Sequence, residues 1–182
     1  MAEAPKIILG VTGSIAAYKA PEIVRLMQKQ HWDPWVVMTA CATQYIGVLP
    51  LRALTGHPVP AGTFAEAPPD TYSHLALSAG AAAMVVAPCS AQTLARLAWG
   101  FADDMLSATA LACEAPLLVA PAMNTRMWRH PAVQENVERL RQRGVRIIPP
   151  GEGELACGDT GPGRLAELPD IVRAVAGVLA AD

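Results

Sequence analysis

Apolar residues follow two alternating rhythms along this chain. Short apolar runs rich in β-branched residues at 6–11, 34–39, 83–88, 116–120 and 145–148 read as strands. Between them, apolar positions recur every three or four residues over 18–30, 42–54, 91–99, 105–113, 131–143 and 169–180, which predicts helices. Ile23, Leu26 and Met27 are expected to face inward, the helix over 42–54 to end near Gly56, and Pro131 to occupy a first turn. This alternation predicts a parallel α/β sheet. Residues 57–73, rich in Pro, Gly and Ala, read as an irregular loop. Beyond 145–148, expected to be the last strand, residues 149–164 read as a long Gly-rich loop. No internal repeat or low-complexity linker interrupts the pattern.

At 182 residues the chain, 1–182, fits a single domain. A hydrophobic fraction of 52% against 16% charged residues implies either a well-filled interior or apolar surface shared between subunits. A net charge of -2 and a pI near 6.1 argue against a nucleic-acid partner. No apolar run reaches membrane-spanning length and the first residues lack a signal-peptide layout, so no membrane association and a cytoplasmic location are expected. Cys41, Cys89, Cys113 and Cys157 are far apart, with no C-x-x-C pair, which argues against a metal site or disulfides. Each cysteine is then a small buried hydrophobe or a reactive thiol.

Open α/β sheets bind ligands at the carboxyl ends of their strands. Four polar segments fall there: 12–17, 39–41, 88–93 and 121–128. Gly13-Ser14 follows a strand and opens a helix, so it is either an anion-binding turn or a plain connection. It is neither a Walker A loop nor G-x-G-x-x-G. Ser90-Ala91-Gln92-Thr93 is a second such turn, and the pair points to one phosphorylated ligand. Asn124 offers an amide for a substrate carboxylate or amide, or else caps the next turn while Met127 and Trp128 pack in the core. Cys157 lies among glycines in a loop that is either a lid carrying a proton donor or a surface loop with an incidental thiol. His31, His57 and His130 read as surface residues. His74, leading into an apolar stretch, is a structural group or the best general-base candidate.

Taken together, Gly13-Ser14-Ile15-Ala16, His74, Ser90-Ala91-Gln92-Thr93, the P-x-M-N-x-x-M-W octet at 121–128 and Ala156-Cys157-Gly158-Asp159 resemble the flavin-dependent cysteine decarboxylases from Lys6 to about Leu168. The resemblance implies a three-layer α/β/α, flavodoxin/Rossmann-like fold with a parallel sheet, assembled as a homo-oligomer, trimer or dodecamer. It implies bound FMN, with Gly13, Ser14, Ile15, Ser90, Ala91, Gln92 and Thr93 near the phosphate and Thr39 and Ala122 near the flavin. The active site would lie at a subunit interface. His74 would act as base, Asn124 would bind the substrate carboxylate, and Cys157 would donate a proton. Residues 152–166 would form a substrate clamp, with Met127, Ala156, Cys157 and Gly158 against the substrate. The implied reaction is decarboxylation of 4′-phosphopantothenoylcysteine to 4′-phosphopantetheine, through a thioaldehyde and an enethiol, in coenzyme A biosynthesis. Alternatives are oxidative decarboxylation of a peptide's C-terminal cysteine, or a non-catalytic FMN-binding regulatory subunit. Gln92 stands where such sequences commonly have Asn, and Ala76 and Ala82 where they often carry acidic residues.

Overall fold

A computed structural model describes residues 4–63, 73–155 and 158–181. Strands β1 (Lys6–Val11), β2 (Asp33–Met38), β3 (Ala81–Cys89), β4 (Leu117–Pro121) and β5 (Arg146–Ile147) form one parallel sheet in the order β2-β1-β3-β4-β5. This is the flavodoxin-like order, and it places the topological switch point between β1 and β3. Helices α1 (Ala20–Lys29), α2 (Val48–Thr55) and α8 (Leu168–Leu179) cover one face. Helices α3 (His74–Ser78), α4 (Ala91–Trp99), α5 (Met105–Ala112) and α7 (Pro131–Gln142) cover the other. A one-turn helix, α6 (Thr125–Trp128), follows β4.

The strands lack a polar face because both faces are covered. In β1, Ile7, Leu9 and Val11 point toward α1 and α8, while Ile8 points the other way. At Gly10 a Cβ would come within 3.0 Å of Leu106, so the missing side chain lets α5 approach the strand.

Two expectations need correction. The stretch 42–54 is not one helix: a 3-10 turn spans Ala40–Gln44, and α2 starts only at Val48. Pro50 supplies the reason, since inside a continuous helix it would lack the N–H for its i→i−4 bond. In the first turn of α2 that N–H is not needed. The helix ends at Gly56, which adopts the left-handed conformation with φ 73°. Likewise Ile15–Lys19 is a 3-10 turn leading into α1.

The second correction concerns the C-terminal third. The segment 145–148 is not the last strand, because β6 (Gly151–Glu154) and β7 (Thr160–Arg164) form an antiparallel ribbon where a loop was expected. Met123 N–H donates to Gly163 O (2.9 Å), fastening this ribbon to the end of β4. A Cβ on Gly163 would lie 2.2 Å from Met123 O, so only glycine permits the contact. Among the described residues no helix is long and apolar enough to cross a membrane.

Candidate active site

The strand-end segments are tied together by a few short bonds. Buried Thr12, just after β1, donates to Pro88 O (2.7 Å) and accepts from Ser90 N–H (2.8 Å). One hydroxyl therefore bridges the switch point. Thr39 N–H donates to Val11 O (3.0 Å) and Ala122 N–H to Cys89 O (3.0 Å). Each turn is capped by its own side chain: Ser14 accepts from Ala16 N–H, Thr39 from Ala42 N–H, and Ser90 from Thr93 N–H. Intrahelical partners are lacking for the first-turn amides of α4, of which those of Ala91 and Gln92 are not taken up by Ser90.

Two cavities open over these ends. The larger, about 670 Å³, is lined by Gly13, Ser14, Ile15, Ser90, Ala91, Ala122, Asn124 and Met127, and on the ribbon side by Glu154, Leu155 and Arg164. The smaller, about 250 Å³, is lined by Gly13, Thr39, Cys41, Ser90, Gln92, Thr93 and the Arg96–Asp103–Asp104 group. Gly13 and Ser90 form part of both walls. At Gly13 a Cβ would lie 2.3 Å from Cys41 Sγ, so the turn must present bare backbone there. A third groove, about 730 Å³ between α1 and α2, contains no strand-end turn.

All nine residues expected near a cofactor line one or both cavities: Gly13, Ser14, Ile15, Thr39, Ser90, Ala91, Gln92, Thr93 and Ala122. Asn124 and Met127 line the larger. Asn124 also caps α6, its Oδ1 accepting from Arg126 N–H at 2.8 Å, so the capping role is present while the residue also borders the cavity. Met127 is not in the core but 48% exposed at the cavity wall; Trp128 is half-buried beside α7. Gly158 lies in the turn between β6 and β7, with φ 84°, and lines neither cavity. Ala156 and Cys157 lie outside the described residues.

His74 opens α3, half-buried, and lines neither cavity of its own chain. Lys6 Nζ donates to Ala76 O (3.2 Å) and Ala79 O (2.9 Å) near the end of that helix. Partial burial lowers the Lys6 pKa from its ordinary value, while the Asp33 carboxylate acts against this. His57 is not the surface residue expected. It stacks on Trp35 (3.8 Å between ring centroids), bonds Asp33 Oδ1 (2.7 Å), and is half-buried. Buried Cys89 is pushed far above the ordinary thiol range by desolvation, which leaves it unreactive.

Thr12, Glu154 and Arg164 fall inside segments flagged in the sequence, 12–17 and 152–166, but none was singled out. Thr12 acts on a segment 76 residues away, and the other two depend on the ribbon. Asp104 was legible in principle: with Ser107 it forms a capping box on α5.

A doubly wound sheet with capped polar turns converging at its switch point is the arrangement in which such folds hold nucleotide cofactors. The chain belongs to the flavoprotein family, whose pattern matches residues 1–180. It is 42% identical over 172 residues to a probable phosphopantothenoylcysteine decarboxylase of Streptococcus mutans, covering 93% of this chain and 96% of that one. It spans about two fifths of the length of the bifunctional coenzyme A biosynthesis proteins it also matches. Among solved structures, the FMN-dependent cysteine decarboxylase SpaF superposes with a TM-score of 0.84 at 35% identity, over 98% of this chain and 97% of that one. A mutant PPC decarboxylase complexed with pantothenoylaminoethenethiol gives 0.83 at 31% identity, over 95% and 97%.

Proposed function

We propose that this chain is an FMN-dependent decarboxylase converting 4′-phosphopantothenoylcysteine to 4′-phosphopantetheine in coenzyme A biosynthesis. The observation that carries the reading is the wall shared by the two cavities. Gly13 and Ser90 border both, so a cofactor held at these turns lies beside a second space that contains Asn124. The relative from Streptococcus mutans supports the choice of substrate.

The residues present fit a flavin mononucleotide. The bare backbone at Gly13 and the hydroxyls and amides at 90–93 suit its phosphate, and Thr39 and Ala122 suit the ring. When bound, FMN supplies reversible two-electron chemistry that gives the cysteine carbon the electron-withdrawing character needed for loss of CO2. Asn124 donates an N–H to the substrate carboxylate, with Met127, Ala156 and Gly158 against the substrate. His74 takes up a proton at the start of the reaction, and Cys157 returns one to the product carbon at the end. Because His74 lines neither cavity of its own chain, it acts in the site of a neighbouring copy in a trimer or dodecamer. Exposed Leu75, next to it in the chain, and exposed Leu111 on α5, the helix packed against α3, support such packing. The location is cytoplasmic.

The test is turnover by FMN-loaded protein, offered 4′-phosphopantothenoylcysteine and a peptide ending in cysteine in separate reactions. CO2 and phosphopantetheine are expected from the first alone. An enethiol from the peptide alone would replace this reading with the peptide-modifying one. Flavin binding without turnover of either would leave a non-catalytic regulator.

A further inference from the structure

Asn124 is held at both ends of its amide. Oδ1 accepts from Arg126 N–H at 2.8 Å, while Nδ2 donates to Asp159 Oδ2 at 3.0 Å. A flipped amide would set NH2 against the Arg126 N–H and Oδ1 against a carboxylate, two repulsive contacts in place of two bonds. Asn124 lines the larger cavity, but Asp159 does not. The carboxylate therefore grips the amide from outside the space where a ligand would sit.

Asp159 is itself held in place. Leu155 N–H donates to Asp159 O (2.8 Å) and Gly158 N–H to Leu155 O (2.9 Å), closing the turn of the ribbon. The ribbon is fastened to β4 through Met123 and Gly163, one residue from Asn124. Exposed Arg126, 3.9 Å from the same carboxylate oxygen, partly offsets its charge.

We propose that Asp159 is a positioning residue that fixes Asn124 as a hydrogen-bond donor and so selects ligands bearing a carboxylate over those bearing an amide. The selection works through orientation. With Oδ1 committed to capping α6 and Nδ2 turned toward Asp159, the nitrogen end of Asn124 meets acceptors only. The negative charge also polarises the N–H, as in other charge-assisted bonds. Removing that charge would lessen repulsion of an anionic ligand, so orientation and electrostatics predict opposite outcomes for one variant.

The inference rests on the proposed function, so its test uses three unreactive probes that share the phosphopantothenoyl arm. The alanine analogue keeps the carboxylate and lacks the thiol, the alaninamide analogue carries a carboxamide, and the ethylamide has neither group. Affinity is measured by titrating FMN-loaded protein. Asp159→Ala is expected to weaken the alanine analogue about tenfold, the scale of one charge-assisted bond, and to leave the ethylamide within about twofold. Asp159→Asn, which keeps an acceptor oxygen, is expected to restore most of the loss. The exchange Asn124→Asp with Asp159→Asn preserves the bond with its polarity reversed, and is expected to favour the alaninamide. Equal or tighter binding of the alanine analogue by Asp159→Ala would overturn the proposal and leave the function standing. If Asp159→Ala fails to fold, the exchange variant decides: continued preference for the carboxylate would overturn it. Failure of the unsubstituted protein to bind any probe would overturn the functional reading and this proposal with it.

Discussion

Gly13 shows how one missing side chain shapes a site. A Cβ there would meet Cys41 Sγ at 2.3 Å and its Cβ at 2.7 Å, while the Cys41 backbone carbon is 3.5 Å away. Gly13→Ala is therefore expected to fold and lose FMN, read as loss of visible flavin absorbance after reconstitution. Because the obstruction is a side chain, adding Cys41→Gly should recover much of the loading. No recovery would place the defect in the backbone. The same cysteine supports a second expectation. Cys41 is exposed in the smaller cavity, whereas Cys89 is fully buried with its thiol pKa raised. Alkylation followed by peptide mapping should mark Cys41 readily, more slowly with FMN present, and Cys89 only after unfolding. At this scale, local signals were legible. Asn124 was read as a possible cap, and the caps at Ser14, Thr39 and Ser90 were open to the same reading, because capping depends on a few adjacent residues. Thr12 was not, since it bonds across the switch point.

Helix α3 is only five residues long, too short to be stable alone, and depends on its anchorage. Lys6 bonds two of its carbonyls from the start of β1. Lys6→Met is expected to cost about 1 kcal/mol in stability, and to lower kcat more than it raises KM if His74 is the base. An unchanged kcat with a lowered unfolding midpoint would confine Lys6 to stability. The ribbon is the other element set by its neighbours. Gly163 has φ 147° and packs on Met123 O, so Gly163→Ala is expected to destabilise by about 3 kcal/mol or to detach the ribbon, as seen in denaturant unfolding. The ribbon also shows where pattern reading stops. Its strands, GEGE and TGPGR, have a single β-branched residue and no apolar alternation, so nothing in them marks a strand. They are extended because they pair with each other and lie on α6. By contrast α4 was legible to its ends, with Ser90 at one and left-handed Gly100 at the other.

For the molecule as a whole, apolar runs and helical periods were enough to give the sheet, because strands covered on both faces show little else. They carried no information about strand order or about which turns converge, since both depend on contacts distant in sequence. The convergence leads to a thermal expectation. FMN at one hundred times its Kd should add about 2.7 kcal/mol, seen as a raised Tm in the unsubstituted protein and absent in Gly13→Ala. An equal shift in both would place the cofactor elsewhere. Light scattering on the same samples measures the assembly, for which a mass of three chains or a multiple of three is expected.

The Thr12 hydroxyl, which donates across the switch point and accepts from the far side, also bears on dynamics. It makes the floor of the site a single preorganised unit, its conformational entropy lost during folding. A ligand arriving there need not order the floor and so retains more of its interaction energy as affinity.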